Sequence, residues 1–449
     1  MTRKTRFIVF LICLALFVVI APYIILYSLG YRIDIRRFNI TATGGMYVRA
    51  LPQGATITID SLASQTTGLF SPSVFRQNLL PGPHTVTIKK DGYFDYQKNL
   101  EVLDQSVTKL ENVILMKQQP RFTLLQNNVQ EFYPSPDEKN ILLKIVIGQK
   151  INYQLVHLEN NQTEDLLFGA TGNISSVAWS GDSSRTLVRL GSNYFLVTSV
   201  SQNPKITVLA LLTKAEDASF NPENPNEIFF VKNKNLYSNQ QTLPLIKNIA
   251  AWHVANNSIS WLSQDGFLYT STTRGIVINT LTKKPFPIKT EAAYKILRRA
   301  DMTFLQENQS LFLLDSESEA FKNFYSSVHE IITSPDGQKI LYQNDHEILL
   351  SKTHMQNPAA VFLNRFSDTI NEAQWLGNDY VIFTLRDAIV ISEIDTRGNV
   401  NTVTLPQKAL LTDENLIDIK SPDIFFNQQD KKLYLLSEGG LLVSERLVP

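Results

Sequence analysis

The chain has 449 residues, 43% of them hydrophobic and 19% charged, so it can bury a substantial core and is not a disordered tail. Lysine plus arginine and aspartate plus glutamate both number 42, and this zero net charge excludes the basic surplus expected of a nucleic-acid-binding protein. The one cysteine, Cys13, leaves no possibility of a disulfide within the chain.

The N-terminus combines a short basic tail, residues 1–6, with an uncharged apolar run, residues 7–29. A helix of that length spans the roughly 30 Å hydrocarbon core of a bilayer, so the run predicts a transmembrane anchor. A cleaved signal peptide is the alternative, because Ser28–Leu29–Gly30 has a small-x-small pattern, although the apolar part of a signal peptide is usually shorter.

The orientation of this segment follows from what lies on each side of it. Three basic residues precede the run and three follow it closely, so charge bias nearly cancels. A long folded region translocates largely regardless of charge. We therefore predict a single-pass membrane protein. Its N-terminus is cytoplasmic, residues 30–44 form a linker, and the bulk of the chain is extracytoplasmic.

Residues 45–117 predict a small β-sandwich of about five short strands. Residues 51–54 bend the chain, and the next residues alternate polar and apolar side chains like a strand with one buried face. Turns are predicted at Pro81–Gly82 and Asp91–Gly92. The residues predicted to face inward are Ala55, Ile57, Ile59, His84, Val86 and Ile88.

Five short motifs in this region occur in the order of a known family. They are Pro52–Gln53–Gly54–Ala55, Asp60, Gly68 to Pro72, Leu79 to His84, and Gly92–Tyr93. This layout resembles the PEGA domain, with Gln53 where the family name has glutamate. The resemblance implies a domain just outside a bacterial membrane anchor and implies no catalysis. It also assigns His84 a structural role at a turn.

Residues 120–449 repeat a pattern of an inner strand, a Ser/Asn–Pro/Gly–Asp turn and further apolar strands. Copies recur roughly 40 residues apart, the length of a four-stranded propeller blade. The clear copies are YPSPDEKNILLKI, AWSGDSSRTLVRL, SFNPENPNEIFFV, ITSPDGQKILYQN, QWLGNDYVIFTL and IKSPDIFFNQ, and the weaker ones are AWHVANNSISWLS and ILRRADMTFLQEN. The pattern resembles TolB-type and WD-like β-propellers.

The predicted fold class is therefore all-β: a transmembrane helix, a PEGA-type sandwich and a β-propeller of about eight, alternatively seven, four-stranded blades. Stacked blades cover each other's faces, which a single such sheet cannot do alone. The last blade is completed by strands near 423–426, 432–437 and 441–447, or residues 122–126 supply an outer strand that closes the ring.

Aspartates recur at the predicted turns, namely Asp137, Asp182, Asp336 and Asp423. A calcium loop needs several closely spaced oxygen ligands, and each of these copies has only one or two. We therefore interpret all four as turn-capping residues and predict no metal site.

Three tryptophans, Trp179, Trp252 and Trp375, occupy similar places before three turns. Aromatic side chains at the face of a propeller can stack on sugars or peptides, so these three are the candidate ligand face. Packing between blades is the competing interpretation, because placement in several repeats is typical of structural residues.

Catalytic and cofactor signatures are missing from the sequence. Ser106–Val107–Thr108–Lys109 matches the Ser-x-x-Lys motif of penicillin-binding enzymes, but its partner motifs do not occur, so we treat the match as chance. No histidine pair has metal-ligand spacing and no Gly-rich phosphate loop occurs. We therefore predict no catalytic residue and no cofactor.

Together these features predict an envelope binding or scaffold protein that is not an enzyme. Its propeller would bind a protein, peptidoglycan or a surface polysaccharide. One alternative is an envelope enzyme, a sugar-bond hydrolase or lyase with its site in the propeller channel. Another is a purely structural coat element. The sequence does not indicate an oligomeric state.

Overall fold

A computed structural model describes residues 3–28, 30–34, 39–60, 62–68, 71–168, 172–198, 204–299, 301–353 and 360–449. Residue 29 of the predicted span and residues 35–38 of the predicted linker lie outside the described residues. The chain divides into two compact units. Unit 1 comprises Met1–Pro120, Ile391–Pro406 and Arg446–Pro449, and unit 2 comprises Arg121–Val390 and Gln407–Glu445.

Unit 1 begins with helix α1, Arg3–Ser28, which contains Pro22. An 18-residue window within its segment Thr5–Ser28 has a mean hydropathy of 3.1, and the segment is long and apolar enough to cross a membrane. The predicted apolar helix is confirmed. Its length and composition fit a membrane anchor or a signal sequence.

Nine strands follow α1 within the described part of residues 31–114. They are β1 (Tyr31–Asp34), β2 (Asn39–Ala42), β3 (Gly44–Leu51), β4 (Thr56–Ile59), β5 (Gln65–Thr66), β6 (Ser73–Leu79), β7 (Gly82–Lys89), β8 (Tyr96–Val102) and β9 (Val107–Ile114). Strands β1 and β2 form a hairpin, while the others form two sheets of order β6-β3-β9 and β5-β4-β7-β8. Strand β3 pairs in parallel with β9 and antiparallel with β6.

The core of the sandwich lies between these two sheets. Ala55, Ile57 and Ile59 are at most 3% exposed, and Val86 and Ile88 are fully buried, as their alternation predicted. Strands β5 and β6 were not predicted, since β5 has only two residues and β6 exposes several polar side chains.

His84 belongs to a hydrogen-bonded cluster at one end of the sandwich. Its Nδ1 lies 2.6 Å from Asp60 Oδ2, and its Nε2 lies 2.7 Å from the carbonyl oxygen of Leu80. Asp60 Oδ1 also accepts the backbone N–H of Thr85. The cluster therefore ties the end of β4 to β7, which is a structural role at a turn.

The remaining strands begin with β10 (Arg121–Gln126) and then form sheets that we number 1 to 8 along the chain. Sheet 1 contains β11 (Val129–Pro134), β12 (Asn140–Ile147), β13 (Lys150–His157) and β14 (Gln162–Leu166). Sheet 2 contains β15 (Ile174–Trp179), β16 (Arg185–Leu190), β17 (Asn193–Thr198) and β18 (Lys205–Val208). A 3₁₀ helix, Ala210–Leu212, precedes sheet 3, which contains β19 (Asp217–Asn221), β20 (Asn224–Lys232) and β21 (Asn235–Ser238).

The next three sheets have four strands each. Sheet 4 contains β22 (Ile249–Ala255), β23 (Ser258–Ser263), β24 (Leu268–Thr272) and β25 (Val277–Thr280). Sheet 5 contains β26 (Tyr294–Arg299), β27 (Met302–Glu307), β28 (Ser310–Asp315) and β29 (Ala320–Tyr325). Sheet 6 contains β30 (Glu330–Thr333), β31 (Lys339–Gln343), β32 (Glu347–Lys352) and β33 (Val361–Arg365).

Two further sheets complete the described strands. Sheet 7 contains β34 (Ile370–Leu376), β35 (Tyr380–Leu385), β36 (Ala388–Glu393) and β37 (Thr402–Thr404). Sheet 8 combines β10 with β38 (Lys408–Leu411), β39 (Leu416–Asp418), β40 (Asp423–Phe426), β41 (Lys432–Ser437) and β42 (Gly440–Arg446). In sheet 8 the order is β39-β38-β10-β42-β41-β40, and β10 pairs antiparallel with β42. Residues 122–126 thus supply a strand outside β42, as one of the predicted alternatives required.

Apolar clusters join neighbouring sheets of unit 2 into a β-propeller. One cluster, for example, packs Leu155 of sheet 1 against Phe195 of sheet 2. Another packs Leu143 of sheet 1 against Tyr434 of sheet 8, so the last sheet meets the first. Each sheet covers a face of the next, which is how a propeller buries sheets that are too small to fold alone.

The Ser-Pro-Asp and Ser-Gly-Asp turns use their aspartates as predicted at three of the four sites. In sheet 1, Ser135 Oγ donates to Asp137 Oδ1 at 2.5 Å, and that oxygen also accepts the backbone N–H of Lys139. Asp182 and Asp336 make the same bonds in sheets 2 and 6. They therefore cap turns.

Asp423 corrects the sequence interpretation. It is the first residue of β40, the innermost strand of sheet 8, and does not lie in a hairpin turn. The sequence IKSPDIFFNQ resembles the turn copies, but its Ser-Pro-Asp leads into an inner strand instead of following one. The prediction that Asp423 caps a turn was wrong.

Candidate functional site

The first strand of each of sheets 1 to 7, and β40 of sheet 8, lie innermost, where propeller blades surround a central channel. In sheets 1, 2, 4 and 7 a β-bulge follows a buried aliphatic residue at the start of this strand. The four aliphatic residues are Val129, Ile174, Ile249 and Ile370. A bulge re-aims the side chains that follow it, and such irregularities recur beside functional sites.

Four carboxylates occupy the inner strands of consecutive sheets: Glu330 in sheet 6, Glu372 in sheet 7, Asp423 in sheet 8 and Glu131 in sheet 1. We call them the acidic arc. Glu131, Glu372 and Asp423 line one cavity, and Glu330 and Glu372 line the next. The sequence separates these residues widely, and the ring of sheets brings them together.

Glu372 is the most perturbed member of the acidic arc. Its Oε2 accepts the backbone N–H of Ile424 at 3.1 Å, and its Oε1 accepts Gln374 Nε2 at 2.7 Å. Both bonds favour the ionised form, yet burial, reinforced by Asp423 and Glu330, raises the pKa of Glu372 to about 7. This carboxyl group therefore exchanges a proton near neutral pH.

Two other members also have raised pKa values. Burial raises the pKa of Asp423, and the charge of Glu131 adds to the effect. Burial likewise raises the pKa of Glu330, although Lys295 and Arg299 oppose the shift. Three of the four carboxylates thus carry their charge at an energetic cost.

Glu131 differs because it has a close cation. Burial acts to raise its pKa, but hydrogen bonds from Lys144 and Tyr133 outweigh burial, and the pKa of Glu131 falls below its usual value. Lys144 Nζ lies 2.8 Å from Glu131 Oε1. The acidic arc therefore contains one carboxylate with a lowered pKa, Glu131, beside three with raised pKa values.

A basic strand adjoins the acidic arc. Strand β26 of sheet 5 carries Lys295, Arg298 and Arg299, and β30 of the next sheet begins with Glu330. On the other side lies His253 of sheet 4. Burial and the three cations lower the pKa of His253 to about 4, so its imidazole is neutral at pH 7. The channel thus has an acidic part and a basic part.

A further cavity lies between the inner strands of sheets 3, 4 and 5, and we call it the Trp252 pocket. Its polar and aromatic lining includes Asp217, Lys234, Trp252, Gln264, Tyr294 and Lys295. Lys295 belongs to both the basic strand and this pocket, so the pocket adjoins the charged channel.

The three predicted tryptophans lie in three different sheets. Trp375 of sheet 7 is 3% exposed, and its indole N–H donates to the carbonyl oxygen of Ile332 at 3.0 Å. Trp179 of sheet 2 is partly buried against the cluster between sheets 1 and 2. Trp252 of sheet 4 is also partly buried, but it lines the pocket named after it.

Trp252 also lies farther from its hairpin turn than Trp179 and Trp375 do from theirs. Trp179 pairs with Thr186 as the last residue of its strand, and Trp375 is followed by one more pair. Three further residue pairs separate Trp252 from its hairpin turn. A ligand role for the three tryptophans as one face stays a prediction.

The sequence interpretation did not select the acidic arc or the basic strand. A signal existed, since Glu131, Glu330 and Glu372 each follow a buried aliphatic residue by two positions. Within the described residues, no group of three or more histidines, cysteines, aspartates or glutamates has a geometry that could hold a metal ion.

No curated protein matches the chain by sequence. Among solved structures, the chain is similar to the β-propeller domain of Cps50 (Swd1) from Myceliophteria thermophila, with 13% identity and a TM-score of 0.41 over 71% of this chain and 99% of that one. It is similar to BamB from Moraxella catarrhalis, with 10% identity and a TM-score of 0.42 over 72% and 99% of the two chains. It is also similar to YCF48 from Cyanidioschyzon merolae, with 10% identity and a TM-score of 0.41 over 72% and 98%. Residues 43–118 match the PEGA domain, so this part of the chain is a PEGA domain.

Proposed function

We propose that the protein is a single-pass, membrane-anchored binding protein of a bacterial cell envelope, and that the propeller channel binds peptidoglycan. In this proposal α1 is an uncleaved anchor with a cytoplasmic N-terminus, and the PEGA domain and propeller are extracytoplasmic. The apolar helix and the adjoining PEGA domain support this arrangement.

One observation carries the binding proposal: an acidic arc and a basic strand lie side by side on the inner strands. Peptidoglycan combines sugar rings, carboxylates and peptide amino groups, so it offers both charges to such a surface. A neutral polysaccharide would leave these groups unpaired.

The cost of the acidic arc also supports a role in binding. Three carboxylates with raised pKa values oppose folding at neutral pH, when they ionise. Natural sequences keep such unfavourable groups chiefly where function needs them. A cationic ligand group would relieve the repulsion, so binding would recover part of this free energy.

The test is co-sedimentation of the full-length protein, in detergent, with insoluble peptidoglycan sacculi. We expect the double variant Glu372→Gln/Asp423→Asn to bind at least about tenfold more weakly, the effect of losing one charge-assisted hydrogen bond. Added salt should weaken wild-type binding, since the contacts are ionic. The matched control is Glu159→Gln/Asp418→Asn, which changes two carboxylates with 70% and 54% exposed side chains away from the inner strands. Equal sedimentation of the channel variant and the wild type would contradict the proposal.

A second candidate function is an enzyme that cleaves a sugar bond in the channel. The observation in its favour is the pKa of about 7 for Glu372 beside other carboxylates, since paired carboxyl groups with different pKa values serve as acid and base in glycoside cleavage. Mass spectrometry of the soluble fraction after incubation with sacculi distinguishes the two. Fragments that the wild type releases and Glu372→Gln does not would establish the enzyme, whereas binding without fragments supports a binding protein.

A further inference from the structure

The Trp252 pocket offers a fixed aromatic wall. The indole N–H of Trp252 donates to Asp217 Oδ2 at 3.0 Å, and the ring meets Phe229 edge-on, with centroids 6.3 Å apart. These contacts hold the ring in one orientation, while Trp252 stays only partly buried and lines the cavity. A fixed, partly exposed indole presents a flat apolar surface with low entropic cost for a ligand ring.

The acidic groups of the pocket already have partners. Asp217 accepts the Trp252 indole N–H, and Glu216 Oε1 accepts the backbone N–H of Asn233 at 2.8 Å. Lys289 is similarly engaged, with its Nζ 2.8 Å from Glu307 Oε2. These three charged side chains are therefore already paired within the protein and do not need a ligand group as a partner.

Two lysines of the pocket are different. Among the described residues, the ammonium groups of Lys234 and Lys295 have no hydrogen-bond or ion-pair partner within contact distance, and both side chains line the pocket. Lys234 lies in the turn between β20 and β21, and its carbonyl oxygen accepts the N–H of Ile249 at 2.9 Å, which fixes the turn against sheet 4. Lys295 comes from sheet 5, so cations from two sheets border one cavity.

We propose that the Trp252 pocket binds a pyranose ring that bears a carboxylate, with the ring against Trp252 and the carboxylate held by Lys234 and Lys295. The aromatic wall accounts for the ring, and the two unpaired ammonium groups account for the negative charge. The inference rests on the proposed function and deepens it, because the N-acetylmuramic acid of peptidoglycan strands that carry no stem peptide has a free lactyl carboxylate on a pyranose ring.

The test compares two sugars that differ by one group. N-acetylglucosamine lacks the lactyl carboxylate of N-acetylmuramic acid and is otherwise the same ring. Saturation-transfer NMR titrations with the full-length protein in detergent give the two affinities. We expect N-acetylmuramic acid to bind at least about tenfold more tightly, and we expect Lys234→Gln and Lys295→Gln each to remove most of that preference.

Further variants separate the ring contact from the charge. Trp252→Leu should weaken both sugars, whereas Lys408→Gln, on the outer part of sheet 8, should change neither affinity. Sodium lactate supplies the carboxylate without the ring and should compete poorly. Equal affinities for the two sugars, a preference that survives both pocket lysine variants, or effective competition by lactate would each overturn the inference.

The sedimentation experiment keeps this inference separate from the proposed function. If sacculi binding depends on Glu372 and Asp423 but the sugar preference is missing, the pocket assignment fails and the binding function stands. If sacculi binding does not depend on those carboxylates, the proposed function fails whatever the sugars show.

Discussion

Replacing Glu372 by glutamine should change how the stability of unit 2 depends on pH. Burial, with Asp423 and Glu330, raises the pKa of Glu372 from 4.5 to about 7 in the folded protein. The folded state therefore holds this proton more tightly than the unfolded state does. As pH rises from about 4.5 to about 7, the unfolded chain releases the proton first, and the wild type loses stability across that window.

The size of the effect follows from the two pKa values. A pKa of about 7 against 4.5, at about 1.36 kcal/mol per pKa unit, corresponds to a loss of about 3 kcal/mol between pH 4.5 and pH 8. Glutamine does not titrate, so Glu372→Gln lacks this loss. Its amide also alters the hydrogen bonds to Ile424 and Gln374, but that change is the same at every pH. The free energy of unfolding of Glu372→Gln relative to wild type should thus be about 3 kcal/mol higher at pH 8 than at pH 4.5.

Urea unfolding at pH 4.5 and pH 8, followed by tryptophan fluorescence, measures this difference. All four tryptophans lie in unit 2, so the signal reports on the propeller unit. The matched control is Glu347→Gln, since a hydrogen bond from Tyr325 holds the pKa of Glu347 below its usual value. That group stabilises the fold above about pH 4.5 and loses this effect mainly as pH falls below that value, so Glu347→Gln should differ from wild type by nearly the same amount at pH 4.5 and pH 8. A stability difference between Glu372→Gln and wild type that is the same at both pH values would refute the reasoning.

Three further predictions follow from unit 1 and the anchor. Lys98 and Glu393 are both buried in unit 1, with Nζ and Oε1 2.6 Å apart, so Lys98→Met should destabilise unit 1 by about 3–5 kcal/mol. In a double-mutant cycle Glu393→Gln should add much less once Lys98 is gone, and simple additivity would contradict the pairing. Asp60→Ala removes the hydrogen bonds to His84 and to the Thr85 amide, so the free energy that protects this amide from hydrogen exchange should fall by about 1–3 kcal/mol. An unchanged exchange rate at Thr85 would contradict this role of Asp60. Protease added to intact spheroplasts should digest the PEGA domain and propeller, and cleavage only after lysis would show the opposite orientation.

The strands were predictable where one face is buried and the other is wet. Ala55, Ile57 and Ile59 alternate with polar residues, and their burial follows directly from that period. Strand β10 was one of two predicted alternatives for completing the last sheet, because an N-terminal strand can close a ring of sheets. Short or polar edge strands such as β5 carry no comparable signal.

The charged groups of the inner strands were not predicted as a cluster, because they become neighbours only when the ring of sheets closes. Glu131 and Asp423 are far apart in sequence, and only the meeting of sheets 1 and 8 makes them neighbours. The sequence alone also cannot show that the folded chain withdraws Glu372 from water, which is the main cause of its raised pKa. The role of Asp423 was predicted wrongly because the sequence Ser-Pro-Asp forms hairpin turns elsewhere in the chain but here leads into the strand β40.

Photo-crosslinking in intact cells tests the central claim, that the channel binds peptidoglycan, most directly. A photoreactive amino acid replaces Ser176, which is exposed on the inner strand of sheet 2, or Ile278, which is 62% exposed on the outermost strand of sheet 4. The account predicts that crosslinked protein stays with the peptidoglycan after boiling in detergent when the probe is at Ser176, and that far less does so when it is at Ile278. Crosslinks from Ile278 alone, or equally from both positions, would contradict binding through the channel.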